Sequence, residues 1–241
     1  MRLLVDVGNS QVKYMLQDSD ALSEIVYLDY QAFLLQLSQG AFDVVQEVIL
    51  ANVHGSEIPD AVQAWATAQA IVFLQVHSEA TAFGISSAYS EPERLGVDRW
   101  LAMVGAQQLY PQQNVLIIDA GTATTVDILD AQGQHLGGWI MPGVQTLFDS
   151  IVTRTQKISA QPNAIAALSF GDNSSMCVNH GSWAMTIGAV KEAILQVNTL
   201  LTLDKILLTG GNGKQIANFI GENCQLEPRL VFQGLSRFQA S

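Results

Sequence analysis

The chain has 241 residues, 49% of them hydrophobic and 14% charged, a balance that describes a globular protein with room for one large or two small domains. Its formal charge of -11, with no basic stripe interleaved with aromatics, argues against nucleic acid as a partner. No apolar run approaches the roughly 20 residues a membrane helix needs, and no basic-then-apolar export signal opens the chain. Cys177 and Cys224 are too few and too isolated for a disulfide framework or a zinc site, so a reducing cytoplasm is the expected compartment.

The elements read in order as follows. Residues 2–7 form a buried strand, with further strands at 11–17 and 24–28. "YQAFLLQLSQ" (30–39) has helical spacing, "EVILANV" (47–53) is a strand, 57–70 a helix, "AIVFLQV" (70–76) a strand, and 98–109 a helix starting at or near Asp98. The pattern then restarts. "NVLIID" (114–119), "TTVDILD" (124–130) and "HLGGWI" (135–140) read as three strands. A helix follows, with Pro142 placed to start it. A long helix covers about 181–201, with Trp183, Ile187, Val190, Ile194, Val197 and Leu201 on one face. "DKILLTGGNGKQIANFI" (204–220) is strand, glycine turn and helix. The expected division is 1–113 and 114–241, each half a mixed sheet with flanking helices.

The restart carries the functional argument. Asp6-Val7-Gly8-Asn9-Ser10 and Asp119-Ala120-Gly121-Thr122-Ala123 each end an apolar strand with Asp, a spacer, Gly and small polar residues. Glycine lets the backbone turn sharply and approach a ligand, and successive N–H groups and hydroxyls make a concavity suited to phosphate. A carboxylate at the strand end suits a hard cation. Lys13 is placed to neutralise a phosphate, and Gly210-Gly211-Asn212-Gly213 suits a nucleoside lying against backbone. Two such turns would clamp a triphosphate between two domains. Either turn alone reads as an ordinary hairpin; all three together favour nucleotide binding. Walker A spacing is absent, and so is G-x-G-x-x-G after the first strand.

Six motifs in order, "DVGNSQVK" (6–13), "GVDRW" (96–100), "DAGTATTVD" (119–127), "GGWIMPG" (137–143), "GDNS" (171–174) and "LLTGGNG" (207–213), resemble the type III pantothenate kinases, within the acetate and sugar kinase, Hsp70 and actin superfamily. The resemblance implies two RNase H-like α/β domains with nucleotide in the cleft between them. It implies ATP-dependent phosphorylation of pantothenate, Mg²⁺, a monovalent cation (K⁺ or NH₄⁺) and a homodimer. It places ATP phosphates on Asp6, Val7, Gly8, Asn9, Ser10, Gln11, Val12 and Lys13, with Asp6 near Mg²⁺, and gives Thr122 an ATP contact. Asp98 becomes the catalytic base; Tyr89, Gly96, Val97, Asp98, Arg99 and Ser174 line the pantothenate site; Asp119 binds the monovalent cation. Ser174 stands where the family usually has Thr, and Asp172 where many members have a basic residue. From spacing alone Asp98 is a helix N-cap, Arg99 a surface ion-pair partner and Tyr89 a loop aromatic. "GGWIMPG" is equally a tight strand-to-helix turn. The four histidines, His54, His77, His135 and His180, lack metal-ligand spacing and read as surface or satisfied core residues. The alternatives are a kinase for another small hydroxylated metabolite and a nucleotide-binding accessory or regulatory protein. Asp98 and Lys13 favour catalysis over the latter, and no basic DNA-reading helix is present.

Overall fold

The computed structural model describes residues 1–240 apart from 20, 164 and 222. The chain forms two compact units, Met1–Pro111 with the segment from Arg229 onward, and Gln112–Pro228. Among the described residues no helix is long and apolar enough to cross a membrane.

In the first unit, β1 (Arg2–Val7), β2 (Val12–Asp18), β3 (Ala21–Leu22) and β4 (Val26–Leu28) precede α1 (Tyr30–Ser38). Then come β5 (Glu47–Asn52), α2 (Glu57–Ala68), β6 (Val72–Gln75), the small hairpin β7 (Thr81–Ala82) and β8 (Ile85–Ser86), and α3 (Val97–Leu109). The sheet order is β3-β2-β1-β5-β6, with β4 also on β2. β1 and β2 are antiparallel; β1, β5 and β6 run parallel. Side chains alternate along β1. Leu3, Val5 and Val7 enter one core with Phe33 and Leu37 of α1 and Ile58 and Val62 of α2. Leu4 and Asp6 therefore share the opposite face.

The second unit repeats this plan with β9 (Val115–Ala120), β10 (Ala123–Leu129), β11 (His135–Pro142), α4 (Val144–Arg154), α5 (Ser174–Leu200), β12 (Lys205–Thr209), α6 (Gly213–Ile220) and β13 (Cys224–Leu226). Its order, β11-β10-β9-β12-β13, again joins an antiparallel trio to a parallel pair. The stripe Trp183, Ile187, Val190 and Val197 of α5 packs on Leu116, Ile118, Ile206 and Leu208, with Ile194 and Leu201 half-buried against the same core.

Several element ends differ from the sequence reading by one to three residues, and two boundaries have a clear local cause. Pro142 is the last residue of β11, not the first of a helix; β11 is an edge strand, where a missing N–H costs no ladder bond, and Gly143 caps α4. The long helix begins at Ser174 rather than near 181, because the Asn173 side chain accepts from the Met176 N–H and starts it there. Its first two turns are half polar, which hides them from an apolar pattern.

The chain closes with α7 (Leu230–Leu235), packed on α3 in the first unit. The linear reading, which puts 114–241 together, does not contain this return. Glycines make the contact close: a Cβ on Gly105 would lie 2.2 Å from the Leu230 carbonyl oxygen, and one on Gly234 2.0 Å from that of Leu101.

Candidate active site

The turn after β1 spans four residues, 8–11, between the paired Val7 and Val12. Gly8 N–H donates to the Gln11 carbonyl at 3.1 Å, which closes the turn and leaves Asn9 and Ser10 at the surface. Asp6 lies opposite Lys13 in the register, so the two side chains emerge on one face. Lys13 Nζ sits 3.1 Å from Asp6 Oδ2; the carboxylate is buried and the ammonium half-buried. Tyr30, first residue of α1, donates its hydroxyl to the Gly8 carbonyl at 2.7 Å. Its ring stacks on His54, 5.0 Å between centroids at 12°. Asn52, at the end of β5, accepts from the His54 N–H at 3.1 Å and donates to the His54 and Gly55 carbonyls. Burial raises the Tyr30 hydroxyl above its usual pKa of 10.0, which extends the pH range over which it can donate.

A second group gathers where α3 begins. Gly96 is the N-cap, Val97 is buried at the first helical position, and Asp98 stands in the first turn. Asp98 is therefore not the cap: its Oδ1 accepts from the Arg99 N–H at 2.8 Å from inside the helix, where a carboxylate also complements the helix dipole. Gly96 lies close against this carboxylate: a Cβ there would meet Asp98 Oδ1 at 2.6 Å, so a side chain at 96 would displace the Asp98 carboxylate. Arg99 is buried, not a surface residue. Its guanidinium donates to the Tyr89 hydroxyl at 2.9 Å and lies 5.7 Å from the Tyr89 ring centroid. Tyr89, Asp98 and Arg99 thus form one cluster.

The turn after β9 is one residue shorter, 121–123, between paired Ala120 and Thr124. Asp119 occupies the place of Asp6: each is the penultimate residue of its strand, facing Thr125 and Lys13 respectively across the antiparallel pair. Two glycines press on this turn. A Cβ at Gly143 would lie 2.2 Å from the Gly121 oxygen, and one at Gly210 would lie 2.4 Å from Asp119 Oδ1. The Thr122 carbonyl accepts from the Gly143 N–H at 3.0 Å and from Thr146 Oγ1 at 2.8 Å. Ser174 is exposed at the start of α5, next to the capping Asn173.

The carboxylates do not assemble into a metal cage: among the described residues no group of three or more His, Cys, Asp or Glu could hold an ion. His135 and His180 are buried, satisfied core residues. His135 is buried against Asp127, Nε2 to Oδ1 3.0 Å, and His180 Nδ1 lies 2.7 Å from the Ser169 carbonyl oxygen.

The family model for type III pantothenate kinase matches residues 2–196. A type III pantothenate kinase from Colwellia psychrerythraea is 41% identical over 248 residues, spanning 99% of this chain and 100% of its own length. The chain belongs to the type III pantothenate kinase family.

Two solved structures share the fold. A Campylobacter jejuni protein described as a Baf-family transcriptional activator aligns with a TM-score of 0.64 at 21% identity, over 98% of this chain and 96% of its own. A protein from Sinorhizobium meliloti described as a 2-dehydro-3-deoxygalactonokinase aligns with a TM-score of 0.60 at 13% identity, over 98% and 97%. At such identities the likeness is one of fold alone.

Within this type III pantothenate kinase family member, sequence reasoning passed over Tyr30, Asn52, His54, Gly143 and Thr146 as neighbours of the turns. Only Gly143 left a trace, as the close of "GGWIMPG". The others are single polar residues in the first turn of a helix, at a strand end or, for His54, in the loop after it, with no spacing to tie them to the turns.

Proposed function

We propose that this chain transfers the γ-phosphoryl group of ATP to the primary hydroxyl of pantothenate, giving 4'-phosphopantothenate and ADP, the first step toward coenzyme A. The observation that carries the reading is the pairing of Asp6 with Lys13 at a strand-end glycine turn, in a chain of this family.

The turn from Asp6 to Lys13 takes ATP phosphates on its backbone N–H groups and on Lys13, and Thr122 supplies a further ATP contact. Asp98 accepts the proton of the attacking hydroxyl as that oxygen bonds to phosphorus and the bridging oxygen leaves with ADP. The Arg99 N–H bond to Oδ1 orients the carboxylate for this work. Gly96, Val97, Tyr89 and Arg99 line the pantothenate site, and Ser174 offers a hydroxyl to the substrate.

The divalent ion fits a site completed by the nucleotide rather than by protein alone. Asp6 is one buried carboxylate beside the turn, and the phosphates supply the remaining oxygens. When bound, Mg²⁺ neutralises charge on the phosphates. Asp119, held against Gly210, is the carboxylate for K⁺ or NH₄⁺. A homodimer is supported by an apolar groove of about 450 Å³ on the second unit, lined by Leu147, Ile151, Val178 and Met185; light scattering that reads a single-chain mass would contradict it. With two free cysteines, the cytoplasm is the compartment assigned.

Mass analysis of an ATP and pantothenate reaction tests the assignment. The expected product is pantothenate carrying one added phosphate. ATP hydrolysis that leaves pantothenate unmodified would reject it.

A further inference from the structure

A turn that holds phosphate must keep its carbonyl oxygens from facing the anion, because a peptide plane free to flip would replace an N–H donor with a repelling oxygen. Both turns of this chain have a carbonyl fastened by a side-chain hydroxyl. Tyr30 Oη donates to the Gly8 carbonyl at 2.7 Å, and Thr146 Oγ1 to the Thr122 carbonyl at 2.8 Å. The two arrangements match in their logic. Each hydroxyl comes from the first turn of a helix, Tyr30 leading α1 and Thr146 third in α4. Each lies a similar distance down the chain from its acceptor, 22 and 24 residues. The residue types differ, so sequence comparison of the two halves does not reveal the match.

Each hydroxyl is itself braced. The Tyr30 ring stacks on His54, whose backbone is tied to Asn52. Thr146 sits on a helix whose capping glycine N–H donates to the same Thr122 carbonyl, at 3.0 Å. The Gly8 carbonyl shares its peptide plane with the Asn9 N–H, so fixing one fixes the direction of the other.

We infer that Tyr30 and Thr146 are positioning residues for ATP, each locking a carbonyl of one glycine turn so that the turn stays arranged for phosphate. The inference rests on the ATP-dependent kinase reading above. Each hydroxyl is committed to a backbone carbonyl rather than offered to the substrate, so the loss should appear in nucleotide affinity rather than in the chemical step.

The test is steady-state kinetics of the full-length protein with Tyr30→Phe, Thr146→Val and Thr146→Ser, varying ATP and pantothenate separately. Loss of one neutral hydrogen bond predicts a rise in the KM for ATP of about fivefold for Tyr30→Phe and for Thr146→Val. The expected kcat and pantothenate KM are unchanged, and Thr146→Ser restores the wild-type KM for ATP because it restores the donor. Phe and Val keep the shape of the residues they replace, and thermal melting identifies any variant whose fold is lost; Thr146→Ser then decides. An unchanged KM for ATP in both Tyr30→Phe and Thr146→Val overturns the inference, and so does a Thr146→Ser variant as impaired as Thr146→Val. Wild-type protein without pantothenate-dependent turnover overturns instead the kinase reading beneath it.

Discussion

Gly210 rests directly on the carboxylate of Asp119. A Cβ at 210 would lie 2.4 Å from Asp119 Oδ1 and 2.7 Å from the Ala120 backbone, and the backbone at Gly210 has a φ of +78° that L side chains rarely adopt. Conformation and close approach both demand glycine. Gly210→Ala should destabilise the second unit by about 1–3 kcal/mol from the backbone conformation alone, with the steric overlap added. It should also displace the Asp119 side chain. Thermal melting together with nucleotide titration checks this; a variant that melts and binds like wild type would contradict it.

Lys13 and Asp6 form a half-exposed ion pair with the carboxylate on the buried side. Lys13→Met strands a buried carboxylate and costs about 1–3 kcal/mol. The same substitution removes a cation from the proposed phosphate turn. The melting temperature should fall and the KM for ATP should rise together. Asp6→Asn should cost less stability, because an amide tolerates the site uncharged, while impairing turnover.

The contact of α3 with α7 offers a test remote from the site. Gly105→Ala would force a methyl into the Leu230 carbonyl, at 2.2 Å, so the helices must separate. Overpacking of this kind costs about 1–3 kcal/mol or more. Limited proteolysis should release the C-terminal segment faster in Gly105→Ala than in wild type. Equal rates would show that the helices can shift without parting.

Alkaline pH should weaken the first unit. Burial raises the hydroxyls of Tyr14 and Tyr30 above the ordinary 10.0. Below that value both folded and unfolded chains keep the proton and stability is unaffected. Above it the unfolded chain loses the proton first, so stability declines as pH rises from 10.0 through the raised folded values. Melting curves across this range should fall for wild type and less steeply for Tyr14→Phe with Tyr30→Phe.

The fold was legible where apolar periodicity was strong. β1, β5 and β9 are short apolar runs closed by polar turns, and the buried stripe of α5 steps at helical spacing. The duplication was readable from Asp6 and Asp119, whose equivalent register the two sheets bear out. What escaped depended on tertiary contact. α7 is only six residues long and is held by close glycine packing against α3, a pairing that no local pattern encodes. The start of α5 depends on one Asn173 cap before a polar turn. Arg99 carries a charge yet is buried, with its guanidinium bonded to the Tyr89 hydroxyl, whereas a one-dimensional reading takes it for a surface residue. The hydroxyl contacts of Tyr30 and Thr146 join residues more than twenty positions apart, so they too become visible only in three dimensions.

The central claim is tested most directly by ADP release measured with and without pantothenate, in K⁺ and in Na⁺ buffer, for wild type and Asp98→Asn. The account predicts turnover that requires pantothenate, is higher in K⁺, and falls by about 10²–10⁴-fold in Asp98→Asn, with the fold intact by melting. ADP release independent of pantothenate, or an Asp98→Asn variant as active as wild type, would contradict it.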